Sequence, residues 1–274
     1  PKKVIVVAGT NGKGSFVEAI SVLAMSSDLR VGQFTSPHLH HFSERIRING
    51  SNVSQDLLVS ALDKVDLARK NIEITYFEFL TLAAFVIFSE ENIDLWVLEI
   101  GLGGRLDAVN ILDSSIQVIT SIGLDHQSIL GESIPEIAIE KAGIMRPKGL
   151  CLSSATNAME TLTKEAEKIG SELWMKDHNF RIFCGSGDSF RIEFEEKSVE
   201  MPYPLLPLDS VVLAVIAAYK KGFLIDPNSL SKLSKKTLAG RFEQKSIGGI
   251  NWLLDVAHNP AAVRFLKNRL AGRQ

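Results

Sequence analysis

The chain has 274 residues, 45% hydrophobic and 23% charged, with a formal net charge of −2; this suits one large core or two smaller ones and excludes a disordered composition. So balanced a charge gives no bulk reason to bind nucleic acid or an anionic membrane, and any basic patch must be local and aimed at a small anion. Two cysteines far apart, Cys151 and Cys184, lack metal-ligand spacing and favour a reducing, cytoplasmic setting over a disulfide framework. The longest apolar run, around residues 80–88, is too short to cross a bilayer, and no cleavable signal is recognisable.

In chain order, strand-like runs at 4–8, 31–35, 95–100, 116–122 and 150–153 alternate with helical patterns at about 15–25, 55–70, 77–91, 134–142 and 158–168. This is the signature of an α/β fold, a mostly parallel sheet with helices on both faces. The runs at 4–8 and 96–98 are apolar enough to be central. From 172 to 201 the pattern changes to alternation, with turn residues Gly185-Ser186-Gly187-Asp188, and antiparallel hairpins are expected. A helix follows at 209–219. Strands at 242–247 and 251–256, parted by Gly248-Gly249, then open a second small domain, with the division placed between 1–244 and 245–274. The chain begins two residues before a core strand and closes at Arg273-Gln274 on a helix just begun, an abruptness that suggests a fragment.

The segment Gly9-Thr10-Asn11-Gly12-Lys13-Gly14-Ser15 follows the first strand and opens a helix. Glycines let backbone N–H groups turn inward, the helix start favours an anion, Lys13 adds a point charge and Ser15 a hydroxyl for Mg²⁺. The loop is shorter than the common phosphate loop, which argues for a subclass; the alternative is an ordinary tight strand-to-helix turn. In open α/β sheets ligands sit beyond the carboxyl ends of the strands. There the next strands end in Ser36-Pro37-His38-Leu39, Leu98-Glu99-Ile100-Gly101-Leu102-Gly103-Gly104-Arg105-Leu106-Asp107 and Leu124-Asp125-His126. A hydroxyl, a carboxylate and an imidazole on one edge can hold Mg²⁺, or Mn²⁺. Each has a plainer alternative: Glu99 as a salt-bridged rim residue, His126 as a helix cap, and His38, His40 and His41 as surface. Lys141, in Glu140-Lys141-Ala142-Gly143-Ile144, is either a helix C-terminal cation favoured by the dipole or a partly desolvated amine able to react.

Together Gly-Thr-Asn-Gly-Lys-Gly-Ser, Ser-Pro-His-Leu, Leu-Glu-Ile-Gly-Leu-Gly-Gly-Arg-Leu-Asp-Ala, Leu-Asp-His, Glu-Lys-Ala-Gly-Ile and Asp-Val-Ala-His-Asn-Pro, in this order, resemble the folylpolyglutamate synthase family, more closely its bacterial bifunctional dihydrofolate synthase branch, within the Mur ligase superfamily. The resemblance implies a Mur-ligase central domain followed by the start of a Rossmann-like C-terminal domain. It implies ATP-dependent amide formation between a pteroate or folate carboxylate and L-glutamate through an acyl phosphate. By the same resemblance Gly9, Thr10, Asn11, Gly12, Lys13, Gly14 and Ser15 hold phosphates, and Ser15, Ser36, Glu99 and His126 ligate Mg²⁺, two ions being expected. Lys141 matches a carbamylated lysine, and Lys141, Lys13 and His126 are the implied catalytic set. Phe77, Asp107 and Ala108 match the pterin-side pocket, although Phe77 also reads as a core aromatic. Arg241, Asp255 and His258 match positions contacting ATP. Where the family has an asparagine for adenine, this chain reads Leu208-Asp209-Ser210, so Ser210 would have to serve with a shorter reach. Small-molecule substrates, no nucleic acid or membrane partner, and a monomer are expected. The alternatives are a Mur- or cyanophycin-type ligase, an inert nucleotide-binding fragment and a metabolite kinase, the last giving no reason for the Asp255–Pro260 motif.

Overall fold

A computed structural model describes residues 3–185 and 187–272. In chain order the elements are β1 (Val4–Ala8), α1 (Lys13–Met25), β2 (Val31–Phe34), β3 (Ile46–Ile48), β4 (Ser51–Asn52), α2 (Gln55–Arg69), α3 (Tyr76–Glu90), β5 (Leu95–Glu99), β6 (Ile116–Ile119), α4 (Gln127–Leu130), α5 (Ile134–Ala142), β7 (Leu150–Ser153), α6 (Met159–Ile169) and β8 (Glu172–Met175). They continue with β9 (Phe180–Cys184), β10 (Ser189–Phe194), β11 (Lys197–Pro202), α7 (Leu208–Lys220), α8 (Pro227–Ser234), β12 (Glu243–Ile247), β13 (Ile250–Leu254) and α9 (Pro260–Leu270).

One sheet organises the molecule, in the order β4-β3-β2-β5-β1-β6-β7-β8, parallel from β2 to β8. β1 and β5 are central, as their unbroken apolar sequences require. Alternation divides β1 between two cores: Val4, Val6 and Ala8 face α2, α3, α5 and α6, while Ile5 and Val7 face α1, α7 and α8. Burying both faces of β1 leaves its ends as the places where it can meet a ligand.

The structure corrects the expectation for 172–201. Residues Glu172–Met175 form β8, which pairs in parallel with β7, and only β9, β10 and β11 make the antiparallel sheet. The left-handed Gly170 ends α6 and returns the chain to the sheet, where Trp174 and Met175 are buried. Of the turn expected at 185–188, Ser186 lies outside the described residues. At the opposite edge, β3 and β4 form an unanticipated antiparallel extension; Asn49 and Gly50, both at positive φ, make the turn between them.

The predicted strand ends at 35, 100 and 122 are one to three residues too long, because the chain leaves the sheet there for the loops beyond the carboxyl ends of the strands. The division at 244/245 falls inside β12. Among the described residues β12 and β13 pair only with each other, and β13 is exposed along its length. Among the described residues no helix is long and apolar enough to cross a membrane.

Candidate active site

The phosphate loop is shaped by its neighbours. Gly9 at φ 154° and Gly12 at φ 88° take conformations that L side chains rarely adopt, and a Cβ would lie 2.0 Å from Thr120 Oγ1 at Gly9 and 2.7 Å from Ser210 Oγ at Gly12. The segment leaving β6 clamps the loop. Thr10 N donates to Ser121 O at 2.8 Å, Asn11 N donates to Ser121 Oγ at 2.9 Å, and Thr120 Oγ1 donates to Asn11 O at 2.7 Å. Thr10 Oγ1 donates to Gly123 O and accepts from Gly123 N. Thr10 and Asn11 therefore act here through loop shape, their polar atoms already partnered. Lys13 Nζ donates to Gly9 O at 2.9 Å and stands 3.9 Å from Glu99 Oε1.

A cavity of about 130 Å³ gathers Gly9 to Gly14, Ser36, Glu99, Asp125, His126, Lys141, Arg241 and His258. Glu99 ends β5 and is 4% exposed. Burial pushes its carboxyl above the usual range, against the pull of Lys13 and of Ser36 N, which donates to Glu99 Oε2 at 3.3 Å. Lys141, in the last turn of α5, is also 4% exposed. Burial, reinforced by the Lys13 charge and opposed by Asp125, brings its amine down to about 7. The close approach of α5 depends on Gly104, where a Cβ would lie 2.7 Å from Glu140 O. His126, at left-handed φ 49°, turns a largely exposed ring toward the same cavity, its Nε2 3.9 Å from Asp125 Oδ1.

Among the described residues no three His, Cys, Asp or Glu side chains converge as a self-sufficient metal cage. One buried carboxylate with a hydroxyl beside a phosphate loop instead fits Mg²⁺, which completes its shell with phosphate oxygens and water, and the imidazole suits Mn²⁺ as well. Ser15, 2% exposed in the first turn of α1, lines the adjoining cavity and not the one holding Glu99.

That adjoining cavity, about 450 Å³, runs from Asn11, Gly12 and Ser15 past Ile122, Leu208 and Asp209 to Ile182 and Lys176, with Arg241 and Asp255 on its wall. Ser210 Oγ donates to Gly12 O at 3.1 Å; its hydroxyl is committed to bracing the loop, while Asp209 pairs with Lys176 Nζ at 2.8 Å. Asp255 accepts from Phe242 N and Ala257 N, both at 2.8 Å, and so shapes its own turn.

A third cavity, of about 320 Å³, shares Leu102, Gly103 and Leu130 with the one holding Glu99 and is lined further by Phe77, Gly104 to Ala108 and Glu140. Phe77 is both a cavity residue and a packing residue. Its ring is a cavity wall, yet it also packs on Phe34 at 5.6 Å between centroids and against Gly101, where a Cβ would come within 2.6 Å of it. Asp107 accepts from Gly101 N at 3.0 Å, Leu102 N at 3.1 Å and Val109 N at 2.9 Å. Burial raises its carboxyl and these N–H groups oppose the rise, so its evident role is to hold the cavity wall in shape.

No family model matches the chain. The dihydrofolate synthase/folylpolyglutamate synthase of Buchnera aphidicola subsp. Baizongia pistaciae is 38% identical over 277 residues, covering 98% of this chain and 63% of that protein. The solved Escherichia coli FolC in complex with DHPP and ADP superposes with a TM-score of 0.94 at 32% identity, covering 98% of this chain and 65% of that one. A bifunctional folylpolyglutamate synthase/dihydrofolate synthase with Mn, AMPPNP and L-glutamate bound gives 0.92 at 35% identity, with 98% and 66% covered. The ligand-free Yersinia pestis enzyme gives 0.92 at 34%, with 98% and 67% covered.

The chain belongs to the dihydrofolate synthase/folylpolyglutamate synthase family. It spans a little under two thirds of the length of the curated relatives it matches.

Within this family member, the residues that sequence reasoning passed over are those supporting the named ones. Asp125 faces His126, His258 and Asn259, with its Oδ2 3.8 Å from His258 Nε2 and accepting from Asn259 Nδ2 at 3.0 Å. Thr120 and Ser121 clamp the phosphate loop. Asp125 stands inside a motif whose histidine drew the attention; Thr120 and Ser121 carry no signal beyond lying at a strand end.

Proposed function

We propose that this chain is the nucleotide-binding portion of an ATP-dependent ligase that joins L-glutamate to the carboxylate of dihydropteroate, a reduced folate, or both. The observation that carries the reading is the convergence of the phosphate loop, Glu99, His126 and Lys141 on one cavity, adjoined by a nucleoside-sized cavity and by the Phe77 cavity. The Mn, AMPPNP, L-glutamate, ADP and DHPP named with the solved relatives support the same substrates here.

In the reaction a carboxylate oxygen attacks the γ-phosphorus of ATP and the bond to the β,γ-bridging oxygen breaks, releasing ADP and leaving an acyl phosphate. The amine of glutamate then attacks the acyl carbon, phosphate departs, and the nitrogen gives up its proton. The loop N–H groups and Lys13 hold the phosphates, Lys13 exchanging its bond to Gly9 O for one to a phosphate oxygen. Ser36, Glu99 and His126 would hold Mg²⁺ in the central cavity and Ser15 would reach it from the nucleotide side, with two ions in all. When bound, the metal supplies neutralisation of the charge on the transferred phosphoryl group. Lys141, with an amine near 7, has the neutral fraction that carbamylation requires, and the resulting carboxylate analogue would assist the second ion. Arg241, Asp255 and His258 meet the nucleotide from the C-terminal side; Phe77 and the wall held by Asp107 and Ala108 receive the pterin.

The hairpin of β12 and β13 with α9 is the beginning of a second domain of Rossmann-like type. The protein acts as a cytoplasmic monomer without nucleic-acid or membrane partners. The test combines AMPPNP titration of the chain in Mg²⁺ with a ligation assay containing ATP, Mg²⁺ and L-glutamate, comparing dihydropteroate with tetrahydrofolate by product mass. Saturable nucleotide binding and a one-glutamate mass gain are expected; phosphate release with a cell-wall precursor and none with either pterin would overturn the assignment.

A further inference from the structure

Asn259 caps α9, its Oδ1 accepting from Ala262 N at 2.9 Å. Capping needs only that oxygen. The remaining bonds of this amide are of a different kind: Oδ1 also accepts from Asn11 Nδ2 at 3.1 Å, while Asn259 Nδ2 donates to Asn11 Oδ1 and to Asp125 Oδ2, both at 3.0 Å. The residue is 6% exposed, so these partners replace its water. Serine or aspartate would cap α9 as well, but neither offers two N–H groups beside an acceptor.

The partners lie in the two segments that shape the phosphate cavity. Asn11 sits between Gly9 and Gly12, with its backbone N–H and carbonyl held by Thr120 and Ser121. Asp125 precedes His126 and faces Lys141. The other described contacts of α9, the hydrogen bond from Arg269 to Leu205 O and the stacking of Arg269 on Phe242 among them, include a cluster near its far end. One buried amide thus joins the start of α9 to the loop and to the strand end beside it.

We propose that Asn259 is a positioning residue that couples the seating of α9 to the conformation of the phosphate loop. The proposal rests on the reading of that loop as a nucleotide site. A nucleotide that fixes the loop around Asn11 then favours docked α9, and docked α9 raises nucleotide affinity by the same factor, since linkage between two sites is reciprocal.

The test titrates AMPPNP with Mg²⁺ by calorimetry and follows hydrogen exchange of the α9 amides, with and without nucleotide, in wild type, Asn259→Ser, Asn259→Asp and Asn259→Asp/Asp125→Asn. In wild type, nucleotide should increase α9 protection. Asn259→Ser keeps a capping oxygen but should lower affinity about tenfold and remove the α9 response. Asn259→Asp, which sets a carboxylate against Asp125, should bind more weakly still, and Asp125→Asn added to it should recover part of the loss by restoring an amide-to-carboxylate pair. A purely structural cap would not show that recovery. Asn259→Ser binding within twofold of wild type, or a double variant no better than Asn259→Asp, overturns the coupling. Absence of AMPPNP binding to wild type overturns the nucleotide reading itself, and the coupling with it.

Discussion

Glu99 and Lys141, each 4% exposed, stand at the end of a sheet buried on both faces, whereas every residue of β13 from Ile250 to Leu254 is exposed and, among the described residues, pairs only with β12. The first region holds ionisable groups away from water and shifts them; the second leaves apolar side chains such as Ile247, Ile250 and Trp252 in contact with it. At the sheet edge the positions of charged groups are fixed by packing, and the hairpin meets them through the few residues that reach back.

Replacing the groups that burial has altered should break this contrast most severely. Lys141→Ala should lower ligation by about 10²-fold or more, with partial rescue by short-chain carboxylates; unchanged turnover would remove Lys141 from the chemistry. The same lysine gives the buried edge a pH signature. Unmodified, its amine titrates at about 7 in the folded chain against an ordinary 10.5, so between these values the unfolded chain binds the extra proton and stability rises with pH. Below about 7 the full penalty applies, each unit of depression corresponding to about 1.4 kcal/mol. Urea unfolding at pH 7 and pH 9.5 should differ clearly in wild type and much less in Lys141→Met.

Glu99→Gln should raise the Mg²⁺ concentration needed for nucleotide binding by about tenfold, and an unaltered magnesium titration would exclude the carboxylate from metal binding. Because burial raises its carboxyl, the wild-type metal requirement should also grow as the pH falls, beginning above the usual carboxylate range. Phe77→Ala divides the edge internally: the pterin KM should rise by about tenfold while AMPPNP affinity stays put, and an equal loss of both would mean that the ring serves only the core. Trp252→Ser should do least, moving unfolding free energy by less than about 0.5 kcal/mol; a drop of several degrees in Tm would show that the hairpin is packed far more firmly than its exposure indicates.

The legibility of the chain follows the same division. Apolar strands such as Val4–Ala8 announce central positions because burial on both faces leaves no room for alternation. Lys13, Glu99, His126 and Lys141 were found because the ends of parallel strands and the elements after them share one edge, and the structure brings them to one cavity. The family resemblance supplied roles that spacing alone could not. What escaped was pairwise: β8 joins the sheet because α6 returns it there, and the polar atoms of Ser210 and Asp107 are engaged by backbone groups, far away in sequence for Ser210 and six residues away for Asp107, which no hydrophobic pattern encodes. The edge hairpin of β3 and β4 carries its signature in Asn49-Gly50, both at positive φ.

The bond from Lys13 to Gly9 O, beside Glu99, has an electrostatic outcome of its own. The ammonium is already solvated by its own loop and faced by a carboxylate, Glu99 also feels the charge of Arg241, Asp125 adds a second carboxylate to the same cavity, and Lys141 carries only a fraction of its charge near neutrality. The cavity therefore projects little net field into solution. A polyanion arriving there is recognised at contact range by directed N–H groups and is not drawn in from afar, so its association rate should vary only modestly with ionic strength.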